Sequence, residues 1–299
     1  MRIATWNVNS LKARMDRVLL WLDHAQPDIL LMQETKLSND DAPVLPLRMR
    51  GYELAHHGEG RWNGVAIASK LPIEPDSIIT NFGDGPVRDS GAGVGTNFAE
   101  EDFNPFDEAR MISARIAGTR FVSLYAPNGR VVGSPFYTGK LAWYDRLSLW
   151  LAQTLAKEAA FVVGGDMNVA PTPDDVWNEA AAHGGTHVSE PERNAFAELL
   201  TRGLVDAYRV KRHEPGRFTW WDYRQGQFHK NMGMRIDHLL LSPPLAERVL
   251  FAEIDREARK GLPIPSDHAP LLVDLDEPGV PIDAGWEGAL ERIAARTRR

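Results

Sequence analysis

The feature that most constrains the fold is a strand, helix, strand pattern within the first 32 residues. Ile3 to Val8 alternates apolar and polar residues, the period of a strand. Ser10 then stands as a cap before Leu11, Met15, Val18, Leu19 and Leu22, which recur at helical spacing. Asp28-Ile29-Leu30-Leu31-Met32 follows as a short apolar run. Two strands joined by a helix in so short a span need a sheet with helices packed against it, an α/β architecture. Further strands are expected at Val65 to Ala68, Met111 to Ile116, Phe121 to Tyr125, Phe161 to Val163, Ile236 to Leu241 and Leu271 to Leu275, and helices near 140–158, 173–182 and 193–202. The stretch 83–108, rich in Gly, Asp, Glu, Asn and Pro, reads as a long surface loop. No linker or repeat interrupts the alternation. The sequence therefore predicts one domain over 1–275 and a C-terminal extension, 276–299, in which Trp286, Leu290, Ile293 and Ala294 line a short helix.

Composition narrows the function classes. With 43% hydrophobic and 25% charged residues over 299 positions, the chain can bury a large core, which excludes disorder, collagen and coiled coil. It has no cysteine, so disulfide frameworks and thiolate zinc sites are excluded, and a reducing compartment is expected. The N-terminus lacks a signal-peptide pattern and no apolar run reaches the ~18 residues of a membrane span, so a soluble, cytoplasmic protein is expected. A net charge of −7 argues against a surface that coats nucleic acid, while leaving room for a local basic face.

Two nucleotide-loop patterns nearly match and fail. Gly133 to Leu141 misplaces the first glycine of a P-loop and has no hydroxyl after Lys140, and Gly91 to Thr96 lacks the last glycine of a dinucleotide fingerprint. His56-His57 has no metal-binding helical spacing and reads as structural. What holds is a set of acidic, amide and histidine residues at the ends of apolar strands, the edge where α/β sheets bind ligands. They are Trp6-Asn7-Val8-Asn9, Gln33-Glu34-Thr35, Tyr125-Ala126-Pro127-Asn128-Gly129, Gly164-Gly165-Asp166-Met167-Asn168, Arg235-Ile236-Asp237-His238 and Ser266-Asp267-His268. Any one alone would read as a turn former or cap. Together they form a hard oxygen donor set suited to Mg²⁺ or Mn²⁺, and such ions imply phosphate chemistry.

The strings Ile3 to Leu11, Gln33-Glu34-Thr35-Lys36, Gly165-Asp166-Met167-Asn168, Arg235-Ile236-Asp237 and Ser266-Asp267-His268 resemble the exonuclease III family of abasic-site (AP) DNA endonucleases, in the same order from about 1 to 275. The resemblance extends to the DNase I-like endonuclease/exonuclease/phosphatase superfamily and implies a four-layered α/β sandwich of two packed mixed β-sheets flanked by helices. It implies Mg²⁺, with Mn²⁺ as a substitute, bound by Glu34 with Asn7, Asp166, Asn168 and Asp267 nearby. Asp166 would activate the attacking water, Asn168 and His268 would contact the phosphate, Asp237 would hold His268, and Tyr125 would assist the phosphate or leaving group. Asn9 would bind substrate, and Trp220, Met234 and Ile236 would wall a pocket for an extruded baseless sugar. Some members of the family have Trp where Met234 stands, so a softer pocket is expected. Arg61, Asn63, Arg130, Lys140, Arg146, Arg224 and Lys230 are candidates for contacting DNA phosphates. The implied activity is incision 5′ to abasic sites and cleaning or resection of 3′ ends by a monomer acting on double-stranded DNA. The competing readings are a phosphodiesterase or phosphatase on lipid or inositol phosphate, and a silent DNA-end-binding protein.

Overall fold

The computed structural model describes residues 1–83 and 104–297, so most of the loop expected over 83–108 lies outside the described residues. The strands are β1 (Arg2–Asn7), β2 (Ile29–Gln33), β3 (Glu53–His57), β4 (Val65–Ser69), β5 (Ile79–Thr80) and β6 (Met111–Ile116), then β7 (Thr119–Tyr125), β8 (Phe161–Asp166), β9 (Val205–Asp206), β10 (Asp237–Leu241), β11 (Val249–Ile254) and β12 (Leu271–Leu275). The helices are α1 (Leu11–Ala25), α2 (Val44–Arg48), α3 (Pro135–Leu155), α4 (Glu179–Ala182), α5 (Glu190–Thr201), α6 (Ala207–Lys211), α7 (Gln227–Lys230), α8 (Pro243–Ala246) and α9 (Ala289–Thr297).

The strands form two mixed six-stranded sheets, ordered β11-β12-β1-β2-β4-β3 and β5-β6-β7-β8-β10-β9. Each contains one parallel pair joined through a helix, β1-α1-β2 and β7-α3-β8, and its other pairings are antiparallel. Strand alternation explains the layers. Ile3, Ile29, Leu31 and Ile67 of one sheet meet Ile112, Phe121, Val162 and Leu239 of the other in the central core. The opposite faces of β1 and β2, with Ala4, Trp6, Leu30 and Met32, receive Val18, Trp21 and Leu22 of α1. On the far side Val122, Leu124 and Val163 receive Trp143, Tyr144 and Leu147 of α3 and Phe196 and Leu199 of α5. Helix, sheet, sheet, helix is the four-layered sandwich that the resemblance implied. Strands buried on both faces have no polar side to show, which is why 28–32 is a run and not an alternation.

One expected helix is corrected. Over 173–182 the chain makes a 3₁₀ turn, Pro173–Asp175, and only the short α4, because the Asp175 carboxylate is drawn inward to Arg209 and Arg235 and Val176 bridges to Met234. After β12 the chain stays on the body. Gly279 donates to Asp274, Arg2 donates to the Val280 carbonyl, and Trp286 is buried with its indole donating to Ile254 at 2.7 Å.

Candidate active site

The two parallel pairs aim their C-terminal ends at one place. Asn7 ends β1 opposite Gln33, Tyr125 ends β7 opposite Asp166, and β10 arrives antiparallel with Asp237 opposite Asp166. The turn carrying Asp267 and His268 is tied to β1, since the Ser266 hydroxyl donates to the Asn7 carbonyl at 2.7 Å and the Trp6 indole donates to the His268 carbonyl at 3.1 Å. The glycines before Asp166 permit this convergence. A Cβ on Gly164 would stand 2.5 Å from Leu31 of the opposing sheet, and one on Gly165 would stand 1.9 Å from the Leu124 carbonyl oxygen.

At the centre lie Glu34, Asp166 and His268, whose oxygen and nitrogen ligand atoms fall within 4.8 Å of one another, and no other such group of three occurs among the described residues. The Asn7 amide donates to Glu34 at 2.9 Å and to Asp166 at 3.0 Å, holding the two carboxylates together. The other Glu34 oxygen meets the Lys36 ammonium at 2.8 Å, and Lys36 also donates to Asn9, whose amide donates to Asp267 at 2.9 Å. Asp267 thus sits at the rim, its second oxygen accepting from the Trp220 indole at 3.1 Å. His268 Nδ1 meets Asp237 Oδ2 at 2.8 Å and its Nε2 lies 3.8 Å from Asp166 Oδ2. Burial alone would lower the imidazole, but Asp237 and Asp166 outweigh it and push it up to about 10, so the ring is a cation that donates to Asp237. Burial, opposed by His268 and reinforced by Asp237, pushes Asp166 up to about 7. Burial, followed by the charge of the nearby Glu34, raises the Tyr125 phenol well above the usual range, which keeps it a neutral donor. Asn168 is anchored differently, its amide donating to the Ala126 carbonyl and accepting from Asn128 while its own N–H binds Asp166. Asn9, Glu34 and Asn168 all hold left-handed backbone, with φ of 44, 52 and 51 degrees, a local cost accepted where these side chains must turn inward.

A divalent cation fits this donor set. Glu34, Asp166, Asp237 and Asp267 bring four carboxylates, His268 and Lys36 return two positive charges, and the second oxygen of the buried Asp237 has no partner. Beside His268, the Trp220 backbone bridges to both Met234 and His268, and the side chains of Trp220 and Met234 join Ile236, Val176 and Val188 in an apolar cluster. The expected pocket walls are therefore contiguous, whereas the next residue, Trp221, is fully buried in the central core.

Residues 4–268 match the profile of the endonuclease/exonuclease/phosphatase family. The chain belongs to this family. Within the endonuclease/exonuclease/phosphatase family it is similar to an exodeoxyribonuclease of Bacillus subtilis, 29% identical over 274 residues that cover 91% of this chain and 98% of the relative. A 3′-5′ exonuclease from Neisseria meningitidis shares the fold with a TM-score of 0.82 and 33% identity, covering 93% of this chain and 100% of its own. An AP endonuclease from Archaeoglobus fulgidus does so at 0.79 and 34%, with the same two coverages. The resemblance to the exonuclease III group of nucleases, read from the motifs, therefore stands.

Two placements depart from sequence reasoning. Lys140 cannot meet a DNA phosphate, because it is fully buried and ion-paired with the buried Glu192, beneath the Asn128 and Asn168 carbonyls. Arg61, Arg130 and Arg224 remain exposed candidates for DNA phosphates, Arg224 ion-paired with Asp222, Arg130 over Phe136 and Arg61 over Trp62. His187 had no motif to mark it, yet it is buried with Nδ1 2.7 Å from the Asn168 carbonyl and its ring 6.4 Å from that of Trp220. Lys36 and Ser266 were visible inside the quoted motifs, but only the fold gives them their work.

Proposed function

We propose that this chain is a Mg²⁺-dependent DNA-repair phosphodiesterase that incises double-stranded DNA 5′ to abasic sites and removes nucleotides or blocking groups from 3′ ends. The observation that carries the reading is the packing of Glu34, Asp166 and His268 within 4.8 Å of one another, with Asp237 behind the histidine and the Trp220, Met234 and Ile236 surface beside it. Asp166, sitting near neutrality, takes the proton of the attacking water. The charged His268, held by Asp237, stabilises negative charge on the phosphoryl oxygens, and the neutral Tyr125 hydroxyl is a donor for the phosphate or leaving group. Glu34 and Asp166 would hold the metal, with Asn7 orienting both carboxylates, Asn168 shaping the Asp166 loop and Asp267 reaching the site from its rim. When bound, Mg²⁺ supplies Lewis-acid stabilisation of charge on phosphate oxygens. Asn9 and the apolar walls of Trp220, Met234 and Ile236 bind the substrate, selecting a baseless sugar by size.

No helix among the described residues is long and apolar enough to cross a membrane, and we read the protein as a cytoplasmic monomer in keeping with a cysteine-free chain. The test is an end-labelled duplex with one stable abasic analogue beside an undamaged duplex with a recessed 3′ end, each with Mg²⁺ or EDTA. Mg²⁺-dependent incision at the analogue is expected. Digestion only from the 3′ end would restrict the function to exonuclease or end cleaning. Cleavage of neither, with turnover of a phosphoinositide, would replace DNA as the substrate.

A further inference from the structure

Six arginines are buried among the described residues, namely Arg2, Arg110, Arg120, Arg235, Arg256 and Arg259. Four have carboxylates, Arg2 with Asp274, Arg110 with Glu108, Arg120 with Glu158 and Arg235 with Asp175 and Asp206. Arg256 and Arg259 have none among the described residues, and the Nε of each is buried without an acceptor. Their Nη2 atoms reach only main-chain carbonyls, of Phe228 at 3.2 Å and Trp221 at 3.3 Å. The Phe228 ring lies 4.2 Å from the Arg256 guanidinium and 4.9 Å from that of Arg259. Aromatic faces soften a cation but do not neutralise it, and buried charges are ordinarily paired.

Of the two unpaired arginines, Arg256 lines a cavity and Arg259 does not. About 200 Å³ of space lies between α7, the 3₁₀ turn Arg256–Arg259 and α9, lined by His229, Arg256, Lys260 and Arg292 together with Phe228 and Ile293. No carboxylate lines it. The neighbouring acid, Glu257, is closed onto Lys260. Burial, offset in part by Glu257, and the like charges of Arg292 and Arg259 push Arg256 down to about 10, the direction expected where an anion is missing. His229 and Arg292 are exposed, so the cavity is reachable from solvent.

We propose that this cavity is an anion site that takes a phosphate group through Arg256 and Arg292, with Lys260 shared with Glu257 at its edge, separate from the Glu34, Asp166 and His268 centre. Guanidinium forks match the geometry of a tetrahedral oxoanion, and the volume holds one with several waters. The phosphate comes either from a phosphodiester flanking the cleaved position of bound DNA or from free phosphate. The two sources are separated by experiment: Phe228 packs edge-on against Trp221 at 5.2 Å, but Trp221 is fully buried, so that contact is no surface path for DNA.

The test uses the full chain in EDTA, wild type against Arg292→Glu, with Arg256→Met as a second variant that keeps the alkyl stem on Phe228. Inorganic phosphate is titrated at constant ionic strength by ³¹P line broadening and thermal melting, and a non-cleaved duplex is titrated by anisotropy across a salt series. The expected result is phosphate affinity lowered about tenfold or more in both variants. If DNA supplies the phosphate, the slope of log K against log salt also falls by about one. An unchanged slope with lost phosphate binding assigns the site to free phosphate. Variants that match wild type in both titrations would overturn the proposal. The phosphate titration does not depend on the chain being a nuclease, so failure of that reading would leave it intact.

Discussion

Replacing Lys140 with methionine distinguishes a buried structural cation from a surface DNA contact. The ammonium and the Glu192 carboxylate are both 0% exposed. Lys140 also donates to the Asn168 carbonyl at 2.6 Å and the Asn128 carbonyl at 3.4 Å. Glu192 in turn accepts from Thr186, the His187 N–H and Ser189, closing the capping box of α5. Removing the lysine leaves an ionised carboxylate buried without its partner, a loss of about 3–5 kcal/mol. Urea unfolding of Lys140→Met should register that loss. Adding Glu192→Gln, which removes the orphaned charge, should return about 1–3 kcal/mol as a coupling in the double-mutant cycle. The Asn168 and Asn128 loops each lose one anchoring bond, so kcat for DNA cleavage should fall more than affinity does. A stability change below about 1 kcal/mol, combined with a salt slope of DNA binding lowered by about one, would refute this reasoning and return Lys140 to the DNA-facing surface.

Glu34→Ala removes a central carboxylate, and Mg²⁺-dependent turnover should fall by about 10²-fold or more, with a circular dichroism spectrum like that of wild type; retained turnover would exclude Glu34 from the metal site. The pairing of His268 with Asp237 raises the imidazole above its unfolded value, so the stabilisation it gives the metal-free protein is full below about pH 6.5 and is lost as pH rises towards about 10. Asp237→Asn should therefore flatten the fall in urea midpoint between about pH 8 and 10, and an unflattened fall would place that titration elsewhere. Trp220→Ala should weaken binding of an abasic duplex about tenfold, within the range of stacking contacts, while leaving undamaged duplex binding unchanged; equal losses on both would make Trp220 a general DNA contact.

Much of the architecture was legible because it rests on local patterns. Leu11, Val18 and Leu22 on α1, the Ser10 cap, and β6 and β12 with their observed bounds all follow from periodicity. The strand β11 escaped because the Leu250 side chain is exposed and its register shifts between Val249 and Phe251, which blurs the alternation. At the site, Asn7, Glu34, Asp166 and Asp237 could be named because each stands at or next to the end of a strand, and His268 because it sits in the Ser266-Asp267-His268 motif just before β12. Which of them touch could not, since the convergence depends on two sheets meeting face to face through Gly164. Lys140 looked like a surface cation for the same reason, because its partner Glu192 lies 52 residues away in sequence. His187 and the unpaired Arg256 carry no pattern at all, and only burial and missing partners reveal them.

The central claim is that Glu34, Asp166 and His268 form one metal-assisted hydrolytic centre acting on damaged DNA. Single-turnover incision of an abasic-analogue duplex by wild type and Asp166→Asn, each with Mg²⁺ and with EDTA, tests it most directly. Incision by wild type that needs Mg²⁺ and falls by about 10²-fold or more in the variant, with duplex binding retained, is the predicted result. Incision that survives EDTA, or proceeds at the wild-type rate in Asp166→Asn, would contradict it.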